Sequence, residues 1–254
     1  MNNPTLELIH AHGSVRAYKP DPLSDSTLET IVAAAQRASS SSNLQAYSVI
    51  AVTDAARRAR LAELCGKQMF IAQAPLFLAW CADLARLDRV CALRGYTQST
   101  ECVENFLIGA IDVGVTAQNA ALAAESLGLG ICYVGSIRNN PREVIQLLGL
   151  PRLVFPVVGM TIGVPEKPPQ PRPRLPLQAI LHRERYNFDQ DQPLREYDRT
   201  MAATGIYEQR QVPVPGKPGE VEEYGWLEHT ARRVSQVTRA FMREVIQEQG
   251  FALK

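Results

Sequence analysis

Three short polar segments carry the side chains best suited to chemistry. His12-Gly13-Ser14-Val15-Arg16 combines short residues that expose backbone N–H groups with a cation two positions later, which suits a phosphate or an electron-rich heterocycle. Arg172-Pro173-Arg174 is a second cationic pair, which proline holds extended. Ser39–Ser42 is a run of hydroxyl groups at a predicted helix end. Taken alone, these segments also fit a loop with a surface arginine, a solvated linker and an ordinary turn.

Several other sites of known pattern are missing from the sequence. It contains no phosphate-binding P-loop and no nucleophile elbow, and around Gly128-Leu129-Gly130 the third glycine of a dinucleotide fingerprint falls on Tyr133. His10 and His12 are two of only four histidines, and no carboxylate or cysteine cluster lies near them in sequence. The patterns therefore predict no metal site.

Composition excludes further classes of protein. The chain has 254 residues, of which 46% are hydrophobic and 21% charged, so it is neither disordered nor of low complexity. Its net charge of +1 argues against a surface built wholly for nucleic acid or anionic membrane. Five scattered cysteines, the absence of a signal-like N-terminus and polar interruptions in the apolar stretch 106–129 predict a cytoplasmic protein that does not span a membrane.

Helical and strand patterns alternate over the first two thirds of the chain, which predicts a sheet covered on both faces, of the α/β or α+β class. The predicted helices are 5–11, 25–38 (with a capping box from Ser26 to Glu29), 54–65, 103–127 and 141–148, and the predicted strands are 47–53, 75–81, 131–134 and 156–162. Helix 103–127 is apolar on most sides, so we expect it to be almost fully buried. We also expect Leu6, Leu8 and Ile9 to face the interior and strand 47–53 to be buried.

The last third of the chain has a different composition. A stiff segment with six prolines covers 165–176, a Pro/Gly-rich loop covers 212–219, and helical patterns cover 177–185, 194–207 and 228–249. This part is too polar for a core of its own, so we expect it to pack on the main domain or on a second subunit.

In chain order, these segments resemble the nitroreductase superfamily, and within it the NADPH-dependent, oxygen-insensitive nitroreductases and flavin reductases. The resemblance covers most of the chain and rests on His12–Tyr18, Ala38–Gln45, Gln68, Gln118–Ala120, Ala123–Gly130, Tyr133–Asn140 and Pro171–Pro176. It implies a three-layer α+β fold, in which helices flank a mixed, mostly antiparallel sheet. It also implies a homodimer with FMN bound at the subunit interface. The FMN-binding core would be residues 1–164, and residues 165–254 would form a Pro-rich segment and a C-terminal helical excursion.

The resemblance also implies roles for single residues. His12, Gly13 and Ser14 would hold the FMN phosphate end, and Arg16 would stabilise negative charge at the N1/O2 edge of the ring as the catalytic residue. The implied cofactor-binding set is His12, Gly13, Ser14, Val15, Arg16, Ser40, Ser41, Ser42, Gln68, Tyr133, Val134, Gly135, Ser136, Arg172, Pro173 and Arg174. Two positions depart from the family pattern, because Gly13 replaces a usual arginine and Arg172 a common lysine. Loss of the first side chain would weaken FMN retention without abolishing it.

The resemblance implies an NADPH site as well. Tyr207-Glu208-Gln209-Arg210 resembles the family segment that carries a mobile arginine loop for the NADPH 2′-phosphate, and the insertion 212–223 follows it. Arg210 and, on the last predicted helix, Arg239 are the candidates, although both also fit a solvated face with ion pairs.

The expected activity is ping-pong hydride transfer from NADPH through FMN to nitroaromatics, quinones, free flavin or metal oxyanions. Two alternatives stay open. The protein could be a flavin reductase that releases reduced flavin for another protein. It could also be a non-catalytic flavin-binding or interaction module that recruits a partner through the PxxP-like spacing of 168–176.

Overall fold

The computed structural model of the chain describes residues 3–208, 210–214 and 216–254, which form two compact units. The first comprises the described residues up to Pro171 together with Arg239–Lys254, and the second comprises those of Arg172–Thr238. Gln209 of the predicted arginine loop and Pro215 of the predicted insertion lie outside the described residues. The domain boundary predicted after residue 164 stays a prediction.

The regular elements alternate as the sequence pattern predicts over the first two thirds of the chain. In chain order they are α1 (Pro4–His10), α2 (Asp25–Ala35), β1 (Tyr47–Val52), α3 (Ala55–Leu64), α4 (Met69–Gln73), β2 (Leu76–Asp83), α5 (Ala85–Leu93), α6 (Val103–Ser126), β3 (Gly130–Val134), α7 (Pro141–Leu148), β4 (Val154–Gly163), α8 (Asp191–Ala202), β5 (Gln211–Pro213), β6 (Val221–Glu223), α9 (Trp226–Ser235) and α10 (Met242–Glu248).

Four strands of the first unit form one sheet in the order β1-β2-β4-β3, and each neighbouring pair is antiparallel. β2 is central and all eight of its residues are buried, because its continuous apolar run has helices or strands on every side. β1 lies at an edge and is mostly half-buried, so the prediction of a buried strand there was wrong. The predicted α+β class with an antiparallel sheet between helices is confirmed.

Two helix starts show how local chemistry sets the boundaries. Asp54 caps α3 as predicted, because its side chain accepts a hydrogen bond from the backbone N–H of Arg57. Ser24, and not the predicted Ser26, caps α2, with its hydroxyl accepting from Thr27 N–H at 3.1 Å. The sequence patterns did not predict α4 and α5, which are short and follow no clear apolar period.

α6 is the central helix, but only one of its faces is buried. Its small side chains, such as Ala117 and Ala121, pack in the core against α2 and β2. Leu107, Ile111 and Val115 are 46%, 61% and 41% exposed. The prediction of an almost fully buried helix was therefore wrong for this chain. A helix of this length and hydropathy also meets the criterion for a membrane span, a test that core helices pass too.

α1 likewise departs from its prediction. It has no buried residue, and Leu6 and Ile9, which we expected in the interior, are 48% and 44% exposed. α1 and α6 contact each other in the first unit. Each of the two helices carries exposed apolar side chains.

The second unit contains α8, α9 and the hairpin β5–β6. Of the helix predicted at 177–185 only a short 3₁₀ turn forms, Leu177–Ala179. α8, Asp191–Ala202, overlaps the predicted helix 194–207, but it begins three residues earlier and ends five residues earlier than predicted. The hairpin pairs Val212 with Glu222, so part of the predicted loop 212–219 is a strand.

The helix predicted at 228–249 was wrong, because the chain forms two helices there. α9 ends at Ser235, after which Gln236 is extended, and α10 begins at Met242 in the first unit. Arg239 lies between them with a positive φ of 55°, so it is not on the last helix. Residues 236–241 include neither glycine nor proline, which is why the local pattern gave no sign of the break.

Candidate functional site

The loop His12–Arg16 is fixed to β3. The backbone N–H of Val15 donates to the carbonyl of Ile131 at 2.8 Å, and the buried Val15 side chain fills the space beside Gly130. A Cβ at Gly130 would lie 2.6 Å from a Val15 methyl carbon, so only glycine permits this approach. The hydroxyl of Tyr18 adds a bond to the Val15 carbonyl at 2.6 Å. The loop therefore holds Ser14 and Arg16, both exposed, in a defined position.

Gly13 is buried against the backbone of the Pro-rich segment. A Cβ at this position would lie 2.7 Å from the carbonyl oxygen of Gln170, closer than side chains tolerate. In this chain the space beside residue 13 is thus filled by main chain. An arginine at this position would have to displace that backbone.

His12 pairs with an acid from the C-terminal end of α6. Its Nδ1 lies 2.5 Å from Oε1 of Glu125, whose side chain is only 10% exposed. Among the described residues the other oxygen of Glu125, Oε2, is buried and has no hydrogen-bond partner. Burial is the main cause that raises the pKa of Tyr133, and the negative charge of Glu125 raises it further.

Arg16 lies between β3 and α4. Its guanidinium carbon is 5.9 Å from the centre of the Phe70 ring. Burial raises the pKa of the Cys132 thiol, while the Arg16 charge and a hydrogen bond with Ser14 oppose that shift. The positive charge of Arg16 therefore acts at the end of the loop, next to the start of α4.

Gln68 is the residue before α4 and contacts the segment after β3. Its amide nitrogen donates to Ser136 Oγ at 2.6 Å and to the Cys65 carbonyl at 2.8 Å. Burial raises the pKa of Cys65 to about 12, against a smaller effect of its hydrogen bond with Ser136. Gln68 and Ser136, 68 positions apart in sequence, thus meet in one place.

A buried carboxylate holds the serine turn, which is Ser40–Gln45. Asp112 of α6 is 1% exposed and accepts the N–H groups of Ser41 at 3.1 Å and Ala46 at 2.9 Å. Three residues of the turn have positive φ angles without being glycine: Ser42 (48°), Asn43 (58°) and Gln45 (53°). Such strain persists only where the surroundings enforce it. Asp112 was not among the predicted site residues, and its one signal in the sequence was an acid inside an apolar helix.

The cationic pair Arg172 and Arg174 lies in the second unit. Nη1 of Arg174 donates to the carbonyls of Arg172 at 3.2 Å and Pro173 at 3.4 Å, so this guanidinium turns back onto its own backbone. The hydroxyl of Tyr197 donates to the Pro173 carbonyl at 3.1 Å. The segment is therefore anchored within its own unit, which a solvated linker would not be.

Arg210 lies in the same unit, beside an aromatic cluster. Its guanidinium carbon is 5.7 Å from the ring centre of Tyr224, and that of Arg232 is 5.9 Å from the same ring. Tyr207 packs edge-on against Tyr224 at 5.5 Å. A cavity of about 160 Å³ is lined by Tyr207, Arg210 and Tyr224 among others.

Arg239, in the first unit, reaches the segment that follows β3. Its Nε and Nη2 donate to Oδ1 of Asn139 at 3.0 and 2.8 Å. Burial, and then the neighbouring Arg239 charge, lower the pKa of Arg138, whose guanidinium donates to the Val157 carbonyl. Two cations thus lie side by side in this part of the first unit.

Three of the predicted segments meet in the first unit: the loop His12–Arg16, Gln68 before α4, and Tyr133–Ser136 at the end of β3 and just after it. The serine turn is joined to the same unit through α6. The set fits FMN, because a histidine, hydroxyls and an arginine suit a phosphate and an electron-rich ring edge.

The chain is similar to known proteins along nearly its whole length. The profile described as the Nitroreductase family matches residues 9–164, and that of the Nitroreductase family, C-terminal domain, matches residues 172–254. The chain is similar to a "CR(VI) reductase" of Pseudomonas sp. (41% identity over 198 residues, 78% of this chain and 82% of the relative). It is also similar to an "Oxygen-insensitive NADPH nitroreductase" of Salmonella typhimurium (36% over 252 residues, 99% and 100%). Among solved structures, an NADPH:FMN oxidoreductase of Vibrio harveyi complexed with NAD+ has a TM-score of 0.87 at 33% identity, covering 99% and 100% of the chains.

Proposed function

Because the chain belongs to the nitroreductase family, we propose that it is an FMN-dependent oxidoreductase that oxidises NADPH and reduces nitroaromatics, quinones or metal oxyanions. The observation that carries this proposal is the meeting of the loop His12–Arg16 with Gln68 and Ser136 in one unit. The relatives named for nitroreductase and chromate reductase activity support the same class of acceptor.

When bound, FMN supplies the two-electron redox chemistry. The role of the protein is to bind and orient the cofactor and to balance its charge. Arg16 keeps a permanent positive charge for the N1/O2 edge, which stabilises negative charge there without reorganisation because the loop is already fixed. Gln68 and Ser136 provide an amide and a hydroxyl toward the ring, and His12, Gly13 and Ser14 toward the phosphate.

The other predicted contacts belong to the same proposal. Ser40, Ser41 and Ser42 of the serine turn would line the pocket, and Tyr133, Val134 and Gly135 would contact the ring or its tail. Arg172, Pro173 and Arg174 remain proposed ligands of the phosphate. The anchoring of Pro173 by Tyr197 supports an ordered role for this segment.

The first experiment tests pigment and donor together. Purified protein incubated with FMN should retain visible flavin absorbance, which anaerobic NADPH should bleach at one equivalent per flavin. Arg16→Ala should slow this reduction by about 100-fold or more, as loss of a preorganised charge does. Arg37→Ala is the matched control, because Arg37 is an exposed arginine that belongs to none of the proposed sites. It should leave the rate of flavin reduction unchanged. A protein that stays colourless would contradict the proposal.

We assign NADPH selectivity to Arg210 first and Arg239 second. Arg210 contacts an aromatic ring beside a cavity, a setting that suits a nucleotide phosphate. Arg210→Ala should raise KM for NADPH much more than KM for NADH. Arg232→Ala is the control, because Arg232 contacts the same ring but is paired with Glu228. An equal effect of Arg210→Ala on both donors would remove the assignment.

We propose a homodimer, in which the exposed apolar side chains of α1 and α6 are covered by a second copy. Val103, Leu107, Ile111 and Val115 recur every fourth residue along one face of α6 and are 41–61% exposed. Ile111→Asp should give a monomer by size-exclusion chromatography with light scattering. Val90→Asp, at a residue 51% exposed on α5, should leave the dimer intact. A monomeric wild-type chain would refute the proposal.

A cytoplasmic location belongs to the proposal, and the state of the five cysteines supports it, because all are free thiols. Cell fractionation should recover the protein in the cytoplasmic fraction, and a thiol-reactive label should show that its cysteines are reduced.

Two alternatives remain distinguishable. The structure named as an NADPH:FMN oxidoreductase favours a flavin reductase as the second candidate. Comparing kcat/KM for free FMN with that for a nitroaromatic and a quinone separates the two activities. A non-catalytic flavin-binding module would show no NADPH oxidation with any acceptor.

A further inference from the structure

We infer that Glu125 is a positioning residue for the FMN phosphate and that it acts through His12. The inference rests on the proposed function, and it starts from the 2.5 Å contact between His12 Nδ1 and Glu125 Oε1. The two residues lie 113 positions apart in sequence, so the contact exists only in the folded chain.

The place of Glu125 in the fold favours a partner that donates a hydrogen bond. It is the residue before the end of α6, where the helix dipole is negative and disfavours a carboxylate. Its side chain is 10% exposed, and among the described residues Oε2 makes no hydrogen bond. Its neighbour Tyr133 donates its own hydroxyl to Gln118 at 3.3 Å and so brings no charge. The imidazole of His12 is in contact with this acid through Nδ1.

The contact also determines what His12 offers to a ligand. A carboxylate only accepts hydrogen bonds, so Nδ1 is the donor in this pair. A proton on Nε2 then makes the ring a donor at both nitrogens, to Glu125 on one side and to an anion on the other. The partner of one ring nitrogen sets the orientation and role of the other, as in carboxylate–histidine pairs at metal sites. Because His12 is next to Gly13 and the exposed Ser14, the anion this arrangement suits is the FMN phosphate.

The test compares FMN with riboflavin, which differs only by the phosphate. Dissociation constants of both flavins are measured on apoprotein by fluorescence quenching, for wild type, Glu125→Gln, His12→Gln and the double variant. Glu125→Gln should weaken FMN by about 10-fold or more, the range seen when such supporting groups are lost, and riboflavin by less than about twofold. In the His12→Gln background the same substitution should have no further effect. Glu143→Gln, an exposed acid on α7, is the matched control.

Each outcome decides between the explanations. If wild type binds neither flavin, the proposed function fails. If wild type prefers FMN but Glu125→Gln keeps that preference, the inference alone is overturned. A purely structural role would weaken both flavins alike and would lower the thermal midpoint in both backgrounds. Should Glu125→Gln not fold, His12→Gln must still lose the preference for FMN over riboflavin, and its retention would refute the inference.

Discussion

Replacing the carboxylate of Asp112 with an amide should release the serine turn. Asp112 accepts two backbone N–H groups, from Ser41 and Ala46, while 1% exposed. Net, a hydrogen bond to a charged group contributes about 1.5–3 kcal/mol and a neutral one about 0.5–1.5 kcal/mol. In Asp112→Asn the amide oxygen still accepts one backbone N–H, as a neutral hydrogen bond. The amide NH₂ group, itself a donor, then faces the second backbone N–H, so that hydrogen bond is lost. We therefore expect a loss of about 2–4 kcal/mol in the free energy of unfolding.

The assay is urea denaturation at pH 7, with the slope m checked for constancy so that the midpoint reports stability alone. For a chain of this size 1 kcal/mol corresponds to about 2–4 °C, so the thermal midpoint should fall by about 4–16 °C. Asp88→Asn makes the same chemical change at an exposed site on α5 and should stay within about 0.5 kcal/mol of wild type. FMN affinity should fall with Asp112→Asn, because the strained backbone of Ser42 loses its restraint.

A loss of no more than about 0.5 kcal/mol, equal to that of Asp88→Asn, would refute the reasoning. It would mean that the turn keeps its left-handed residues through its own contacts, such as the bond from Gln45 N–H to Ser40 Oγ, and that the buried acid is incidental.

Three further predictions follow from single contacts. Gly13→Ala should lower both stability and FMN affinity, because the added Cβ would lie 2.7 Å from the carbonyl oxygen of Gln170. Urea unfolding measures the stability and flavin titration measures the affinity. If neither quantity changed, the close approach would be contradicted. Arg142 lowers the pKa of Glu248 in the folded chain, so the stability from this pair is present above the unfolded carboxyl pKa and lost as pH falls through the folded one. Glu248→Gln should therefore lower the thermal midpoint more at pH 7 than at pH 3, and an equal effect at both would contradict it. Burial raises the pKa of Cys65 to about 12, so iodoacetamide at pH 8 should leave this thiol unlabelled in the folded protein and label it in urea, as peptide mass spectrometry would show.

Local pattern in the sequence was enough for much of the fold. The apolar run of β2 can only be a buried strand, Asp54 can cap only the helix that follows it, and Pro141 begins α7 because proline suits the first turn. The ordered polar segments also indicated the family and the residues to examine. Each of these signals is contained in a few neighbouring residues, which is the range over which backbone propensity and side-chain period act.

Tertiary structure decided the rest, because contacts between distant residues depend on how the sheet and helices pack. Asp112 reaches the serine turn 66–71 positions away, and Glu125 reaches His12 across 113 positions. The apolar pattern predicted an almost fully buried α6, yet packing buries one face and leaves Ile111 exposed. A helix's sequence states which side chains are apolar, but only its neighbours determine which of them are removed from water.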